Sequence, residues 1–330
     1  MKNLKAKYYL IPAAACLLGI IALGYYYFFT AFLAMPERQY VYIDGDDTTD
    51  SLYAKLAPLC SEHAMTGFRT LMRHTGSDAR LHTGRYAIDP AMNTVDAFRH
   101  LRNGQQEPIM LTIPEVRTMP QLAARLSQKL MLDSATIASR LTGDTVACLF
   151  VPDTYELYWN VSIDGFMERM QREHDAFWNS QRRQKAASRG LTPNEVCTLA
   201  SIIDEETANN AEKPMIAGMY LNRLRKGMLL QADPTVKFAI GDFSLRRIYN
   251  THLEVESPYN TYKYAGLPPG PIKIASIKGI DAVLNATAHD YLYMCAKEDF
   301  SGTHNFARTY SEHLMNAARY ARALNQRGIR

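Results

Sequence analysis

The chain has 330 residues, of which 47% are hydrophobic and 21% charged, with 18 glycines and 15 prolines. This is an ordinary globular composition, and it excludes a wholly disordered, collagen-like or low-complexity protein. The length is sufficient for about two domains of ordinary size. The formal net charge is +4 and the basic residues are scattered along the chain, so we expect no nucleic-acid partner.

The cysteines are too widely separated for a zinc cage or a disulfide-rich scaffold, and no CxxC pair occurs. Their number is odd, so at least one thiol is unpaired, while a single disulfide remains open. The nine histidines lack paired metal spacing, and we predict neither a metal nor a cofactor. The five cysteines are Cys16, Cys60, Cys148, Cys197 and Cys295.

The N-terminal segment predicts a membrane anchor. Residues 8–35 contain no charge and follow Lys2, Lys5 and Lys7, and about 20 apolar residues cross a bilayer core. The lysines favour a cytoplasmic tail at residues 1–7, which places the rest of the chain outside the cytoplasm at the inner (plasma) membrane. A cleaved signal peptide is the alternative, but its apolar region would be shorter and would end at a small-residue site.

Residues 36–106 predict a small module in which an extended segment is followed by a helix. Segment 41–43 precedes a helix near Thr49, and segment 84–88 precedes one near Thr94. A third copy, segment 109–113 before Thr118, belongs to the start of the next domain or to this module. Such a module binds a polymer or serves only as a spacer, and the pattern leaves both open.

Residues 107–330 predict a second, mixed α/β domain, whose most informative helix begins at Thr192. Glu195 stands three residues later and Pro193 takes the first helical position, which together form a capping box. Apolar residues then recur at helical spacing, so one face of this helix is expected to be buried. They are Val196, Leu199, Ala200 and Ile203.

Three consecutive acidic residues follow in the same helix. At about 100° per residue, Glu205 falls opposite the buried face and is expected to be solvated, while Asp204 and Glu206 fall on its flanks. A flanking carboxyl is half-desolvated, which raises its pKa and permits general-acid chemistry. The pattern does not choose between Asp204 and Glu206, and an acidic surface turn is the other interpretation.

The segments downstream carry amide, hydroxyl and aromatic groups on stiff loops, a combination that suits a carbohydrate ligand. Each residue taken singly is equally typical of a turn or a cap. Asn222 and Arg223 are weaker candidates, and Cys295 lies in an apolar segment that predicts a buried strand rather than a nucleophile. No GxSxG elbow, Walker loop, dinucleotide fingerprint or HExxH motif is present.

Several of these motifs, taken in order, resemble the MltG (YceG-like) endolytic murein transglycosylases. The resemblance implies an α+β architecture: a transmembrane helix, a LysM-like module over residues 36–106 that faces peptidoglycan, and a YceG-like catalytic domain over residues 107–330. The motifs are TGRY (83–86), VPDTY (151–155), ASIIDEET (200–207), NRL (222–224), LQADPT (230–235), YNTY (259–262), GLPPG (266–270) and GTHNF (302–306).

The resemblance also selects the acid, because the second Glu of the family motif Glu-Lys-Glu-Thr is catalytic and corresponds to Glu206. Asp204 stands where the family has Glu, and Glu205 where it has Lys. Loss of that cation is expected to raise the pKa of the acid. The candidates for holding the sugars are Gln231, Asp233, Thr235, Tyr259, Asn260 and His304.

The implied reaction is endolytic cleavage of nascent peptidoglycan glycan strands between N-acetylmuramic acid and N-acetylglucosamine, leaving 1,6-anhydro ends and terminating strand elongation. The family also implies that cell-wall synthases are partners. One alternative is a hydrolytic muramidase that uses Asp204 or Asp233 as a second carboxylate and leaves reducing ends. The other is a non-catalytic, membrane-tethered protein that binds peptidoglycan.

Overall fold

The computed structural model describes residues 2–76, 81–245 and 247–327, which form two compact units. Unit 1 comprises Met1–Met110 with Lys129–Met131 and Glu156–Val161. Unit 2 comprises Leu111–Gln128, Leu132–Tyr155 and Ser162–Arg330. The fold is mixed α/β, as predicted, and its described strands form three two-stranded sheets.

The helices are, in chain order, α1 (Lys2–Phe28), α2 (Thr49–Leu56), α3 (Glu62–Thr75), α4 (Thr94–Arg102), α5 (Met119–Ser127), α6 (Ser134–Arg140), α7 (Ile163–Phe177), α8 (Ser180–Ser188), α9 (Pro193–Glu206), α10 (Lys213–Arg225), α11 (Asp233–Ile240), α12 (Ile277–Leu284) and α13 (Tyr310–Gln326). The strands are β1 (Gln39–Ile43), β2 (Gly84–Ile88), β3 (Ile109–Thr112), β4 (Thr154–Leu157), β5 (Tyr293–Ala296) and β6 (His304–Ala307). Strand β1 pairs with β2, β3 with β4, and β5 with β6.

Helix α1 is long and apolar enough to cross a membrane. Its segment Leu10–Phe28 has a mean hydropathy of 1.8, and none of it is buried within the protein. The predicted span continued to residue 35, but the helix ends at Phe28 and the chain after it contributes to the core of unit 1. Phe32 and Leu33 are buried in the core of that unit, because the backbone at Leu33 pairs with Cys60 and the Phe32 side chain packs on aromatic residues.

Unit 1 is built on the antiparallel pair of β1 and β2, with Gln39 opposite Ile88. Two helices, α2 and α3, connect these strands and cover the core with α4. The helices predicted near Thr49 and Thr94 are present, but their caps lie one residue earlier, at Thr48 and Asn93. Each cap side chain accepts a hydrogen bond from the backbone two or three residues into the helix, the usual way to satisfy a free N–H group.

Unit 2 is organised around α9, which packs against α8, α10, α11 and α12. The predicted capping box between Thr192 and Glu195 is confirmed. The prediction of a single buried face was too narrow, because every residue from Val196 to Ile203 is buried. Helices cover α9 from several sides, so even the polar side chain of Ser201 lies in the interior, where it donates to Thr198 and accepts from Ile272.

The last turn of α9 is fixed by the buried carboxylate of Asp204, whose side chain is only 2% exposed. It accepts a hydrogen bond from Lys213 Nζ at 2.7 Å, from Ser276 N at 2.7 Å and from Ser276 Oγ at 2.8 Å. Gly279 lies so close that an added Cβ would be 2.5 Å from the carboxylate. Asp204 was expected on a half-exposed flank, but it instead joins α9 to the starts of α10 and α12.

We predict that Asp204→Asn lowers the free energy of unfolding by about 3–5 kcal/mol, because it leaves the buried Lys213 ammonium without its counter-charge. Urea denaturation of the full chain in detergent measures this change. The neighbouring Glu205→Gln is the matched control. It should cost about 0–1 kcal/mol, since Arg117, with which Glu205 forms an ion pair, has a side chain that is 44% exposed. An Asp204→Asn protein with wild-type stability would contradict this role of Asp204.

Candidate active site

Glu206, the last residue of α9, lines an open, mainly polar cleft of about 240 Å³ in unit 2. The cleft lies between the end of α9, the middle of α10, the start of α11 and the β5–β6 hairpin. Its size and its mixture of charged, amide and aromatic groups suit a polar ligand. The lining residues are Glu206, Met219, Tyr220, Arg223, Gln231, Asp233, Tyr262, Met294, Cys295, Ala296 and His304.

The carboxyl of Glu206 is held in an environment that favours its protonated form. Burial raises its pKa above the ordinary value, and the negative charge of Asp233 adds to this effect. A hydrogen bond from Tyr220 Oη to Glu206 Oε1, 2.7 Å long, lowers the pKa in the opposite direction, as do the charges of His304 and Arg223. The net shift is upward, so Glu206 can donate a proton at a pH where an exposed glutamate cannot.

Gln231 and Asp233 form a second wall of the cleft at the start of α11, and both are exposed to it. Gln231 has a φ of 50°, a conformation rare for residues other than glycine, and its backbone N–H donates to Thr261 O. Tyr262 Oη donates to Asp233 Oδ1 at 2.5 Å. The strained backbone and the short hydrogen bond therefore fix the direction of two polar side chains.

His304 forms a third wall and is anchored by Glu212, whose side chain is 9% exposed. The backbone N–H of His304 donates to Glu212 Oε1 at 2.7 Å, and His304 Nδ1 lies 2.8 Å from Glu212 Oε2. Because Nδ1 is engaged by Glu212, Nε2 is the ring atom left to contact a ligand. The carboxylate thus orients the imidazole in the same way as in other carboxylate–histidine pairs.

The structure brings four of the seven predicted site residues together in the cleft: Glu206, Gln231, Asp233 and His304. Glu206 and Asp233 act on each other electrostatically, and so do Glu206 and His304. These residues come from α9, from the loop before α11, from α11 and from β6, which are separate segments of the sequence. Their convergence is a property of the fold that no single motif displays.

The other three predicted site residues, Thr235, Tyr259 and Asn260, are buried and lie outside the lining of the cleft. Thr235 Oγ1 donates to Ala232 O at 2.7 Å, and Asn260 Nδ2 donates to two backbone carbonyls of the preceding loop at 2.9 Å. Tyr259 Oη donates to Asp144 at 3.1 Å. These side chains satisfy the polar groups of the loops that carry Gln231 and Tyr262.

Tyr220 and Tyr262 are site residues that the sequence did not identify. Tyr220 lies on a buried face of α10, and its hydroxyl is directed at Glu206. Arg223 was a weak candidate, and it both lines the cleft and holds two loops through Leu230 O and Leu292 O. Cys295 lies in strand β5, as predicted, and is half-buried at the edge of the cleft.

Glu205 is not solvated, contrary to the prediction, because two cations cover it. Arg117 Nη2 lies 2.8 Å from Glu205 Oε2, and Lys273 Nζ lies 3.8 Å from Oε1. The Glu205 side chain is 19% exposed and, among the described residues, it is not part of the lining of the cleft. The charge of the Glu205 carboxylate is therefore balanced by Arg117 and Lys273.

Over residues 2–76, 81–245 and 247–327, no group of three or more His, Cys, Asp or Glu side chains is arranged to hold a metal ion. The carboxylates nearest the cleft have other partners. Asp233 accepts from Tyr262, and Glu212 is bound to His304.

Comparison with known proteins identifies the family of this chain. The model of the YceG-like family matches residues 41–319, so the chain belongs to the YceG-like family. A Listeria monocytogenes yceG-like protein of known crystal structure is 28% identical, with a TM-score of 0.53, over 85% of this chain and 99% of its own.

Two curated relatives are named endolytic murein transglycosylase. The Bacillus subtilis protein is 34% identical over 168 residues, which are 51% of this chain and 46% of that protein. The protein from Streptococcus pneumoniae strain D39 is 28% identical over 281 residues, which are 73% of this chain and 51% of that protein. The chain therefore spans about half the length of the curated relatives it matches.

We predict that Tyr220→Phe raises the pKa of Glu206 further, because it removes a hydrogen bond that favours the carboxylate. A hydrogen bond to a charged group is worth about 1.5–3 kcal/mol, which corresponds to roughly 1–2 pH units. Titration of the glutamate carboxyl carbons by ¹³C NMR measures this, with Glu206→Gln identifying the resonance. Tyr262→Phe is the control and should give a smaller shift, since its hydroxyl bonds Asp233. An unchanged or lowered pKa in Tyr220→Phe would contradict the assignment.

Proposed function

We propose that this protein is an endolytic lytic transglycosylase that cleaves the bond between N-acetylmuramic acid and N-acetylglucosamine in peptidoglycan glycan strands. The observation that carries the proposal is the partly buried Glu206 carboxyl, whose raised pKa suits a proton donor, at the wall of an open polar cleft. Membership of the YceG-like family and the names of the curated relatives support the same reaction.

In the proposed mechanism, protonated Glu206 donates its proton to the glycosidic oxygen as the bond from that oxygen to the muramyl C1 breaks. Positive charge develops on C1 and the ring oxygen in an oxocarbenium-like state. The Glu206 carboxylate then accepts the proton of the muramyl C6 hydroxyl, whose oxygen bonds to C1 and gives a 1,6-anhydro end. No water is consumed, and Glu206 returns to its protonated form.

The other residues of the cleft are proposed to hold the sugars. Gln231 and the Nε2 atom of His304 offer hydrogen bonds to hydroxyl and N-acetyl groups, and Asp233 accepts hydrogen bonds while raising the pKa of Glu206. Tyr220 limits this rise, so Glu206 can also become the base of the second step. Thr235, Tyr259 and Asn260 are proposed to act indirectly, by shaping the loops that carry these side chains.

We further propose that α1 is a single-pass anchor in the inner (plasma) membrane, with a cytoplasmic N-terminus and with the chain after α1 outside the cytoplasm. The lysines at the start of α1 and its exposed apolar surface support this arrangement. Residues 36–106 are proposed to be a LysM-like module that binds peptidoglycan, supported by two helices that connect an antiparallel strand pair. Action on nascent strands near the membrane would place the enzyme beside cell-wall synthases and make it a terminase of elongation.

A hydrolytic muramidase is the alternative, and it needs a second carboxylate in the cleft. Asp204 is bound to Lys213 and Ser276 in the interior and is not available for this role. Asp233 does face the cleft, and it is the carboxylate by which a hydrolase would act. The chemical nature of the product ends distinguishes the two reactions.

We predict that Glu206→Gln reduces release of glycan fragments by at least about 100-fold, the lower range of what a general acid contributes. The fragments are released from purified sacculi by the full chain in detergent and identified by mass spectrometry. The wild type should give internal fragments with 1,6-anhydro ends. Glu205→Gln, with the same change of charge on the adjacent residue, should retain activity within about tenfold, because Glu205 is not part of the lining of the cleft.

Three results would contradict the proposal. Undiminished cleavage by Glu206→Gln would remove Glu206 from the reaction. Reducing ends in place of anhydro ends, lost in Asp233→Asn, would establish a hydrolase. If the wild type binds sacculi but releases no product, the protein is instead a membrane-tethered peptidoglycan-binding protein.

A further inference from the structure

Two buried thiols in unit 2 belong to the same hydrophobic core and take no part in the proposed reaction. Cys148 is 4% exposed and lies in the short 3₁₀ helix Val146–Leu149, while Cys197 is 3% exposed and lies near the start of α9. Cys148 Sγ lies 3.8 Å from Asn194 O, one helical turn before Cys197, at the contact where this 3₁₀ helix packs against α9. Both are reduced in this structure.

The surroundings of the pair restrict when it can react. The hydrogen bond with Cys148, together with burial, raises the pKa of the Cys197 thiol well above its ordinary value. The thiolate is the reactive form, so these thiols exchange slowly once the core has closed. Reaction with an oxidant is therefore expected while the chain folds, before the side chains of the core exclude solvent.

We propose that Cys148 and Cys197 form a disulfide when the chain folds outside the cytoplasm. The oxidant is a disulfide, either glutathione disulfide or a protein dithiol–disulfide oxidoreductase. One cysteine thiolate attacks a sulfur of that disulfide, forming a mixed disulfide and releasing one thiol. The second cysteine thiolate then attacks the mixed disulfide, forming the Cys148–Cys197 bond and releasing the second thiol.

Such a bond would join two parts of the structure that support the cleft. The segment before Cys148 carries Asp144, whose carboxylate accepts from Tyr259 Oη. Gly270 packs against the same residue so closely that an added Cβ would be 2.0 Å from Asp144 O. The bond would tie this segment to α9, the helix that ends at Glu206. It would close a loop of about 50 residues, which constrains the unfolded chain.

This proposal rests on the proposed extracytoplasmic position of unit 2 and not on the transglycosylase activity. Compartments outside the cytoplasm allow disulfides to persist. The test measures covalent linkage and thermal stability, neither of which depends on cleavage of glycan. Its failure would therefore leave the result of the Glu206→Gln experiment unaffected.

The experiment uses the full chain in detergent, unfolded in reductant and refolded in a glutathione redox buffer. Free thiols are blocked with N-ethylmaleimide under denaturing conditions, and unreduced peptides are identified by mass spectrometry. We expect one linked pair, Cys148 with Cys197, while Cys60, which is also buried, carries the label. Protein alkylated in intact cells before lysis should give the same pair.

Thermal unfolding provides the second measurement. Reduction should lower the Tm of the wild type and of the matched control Cys60→Ser by roughly 5–15 °C, but leave the Tm of Cys197→Ser unchanged. Labelling of both Cys148 and Cys197 in the refolded wild type would overturn the proposal. This result comes from the wild type alone and does not depend on whether a variant folds. If the two cysteines are linked after refolding but are free thiols in cells, the proposed extracytoplasmic position of unit 2 would be overturned.

Discussion

The geometry of the cleft depends on one buried ionic contact. The Asp204 carboxylate binds the Lys213 ammonium and both donors of Ser276, and so it fixes the C-terminal turn of α9 between α10 and α12. A pair buried this deeply contributes little net stability, but losing one partner is costly because the other charge is then left unpaired. The contact positions the end of α9, and this turn sets the directions of the next two side chains, Glu205 and Glu206.

The three consecutive carboxylates lie in three different environments, and each environment determines what that carboxylate does. Asp204 is enclosed with a cation, Glu205 is covered by Arg117 and Lys273, and Glu206 lies in the cleft with a tyrosine hydroxyl as its hydrogen-bond donor. Only Glu206 combines burial with a negative neighbour, Asp233, which together raise its pKa. The contrast between these neighbours explains how a run of like charges yields a single proton donor.

The sequence predicted the helices with clear boundary signals, such as α9 with its capping box at Thr192 and α5 with its cap at Thr118. It also predicted four residues that meet in the cleft. It could not predict that Thr235, Tyr259 and Asn260 are buried, because an amide or hydroxyl on a loop serves a ligand or a turn equally well. The hydrogen bond from Tyr220 to Glu206 could not be predicted, because helical spacing identifies a buried face but not where a hydroxyl on that face is directed.

The most direct test of this account is a crystal structure of the Glu206→Gln protein with a bound peptidoglycan oligosaccharide. The account predicts a glycosidic oxygen between N-acetylmuramic acid and N-acetylglucosamine at about 3 Å from the side chain at position 206. Gln231 and His304 should contact the sugars on either side of that bond. An oligosaccharide bound elsewhere, with the cleft beside residue 206 empty, would contradict the assignment of this cleft as the active site.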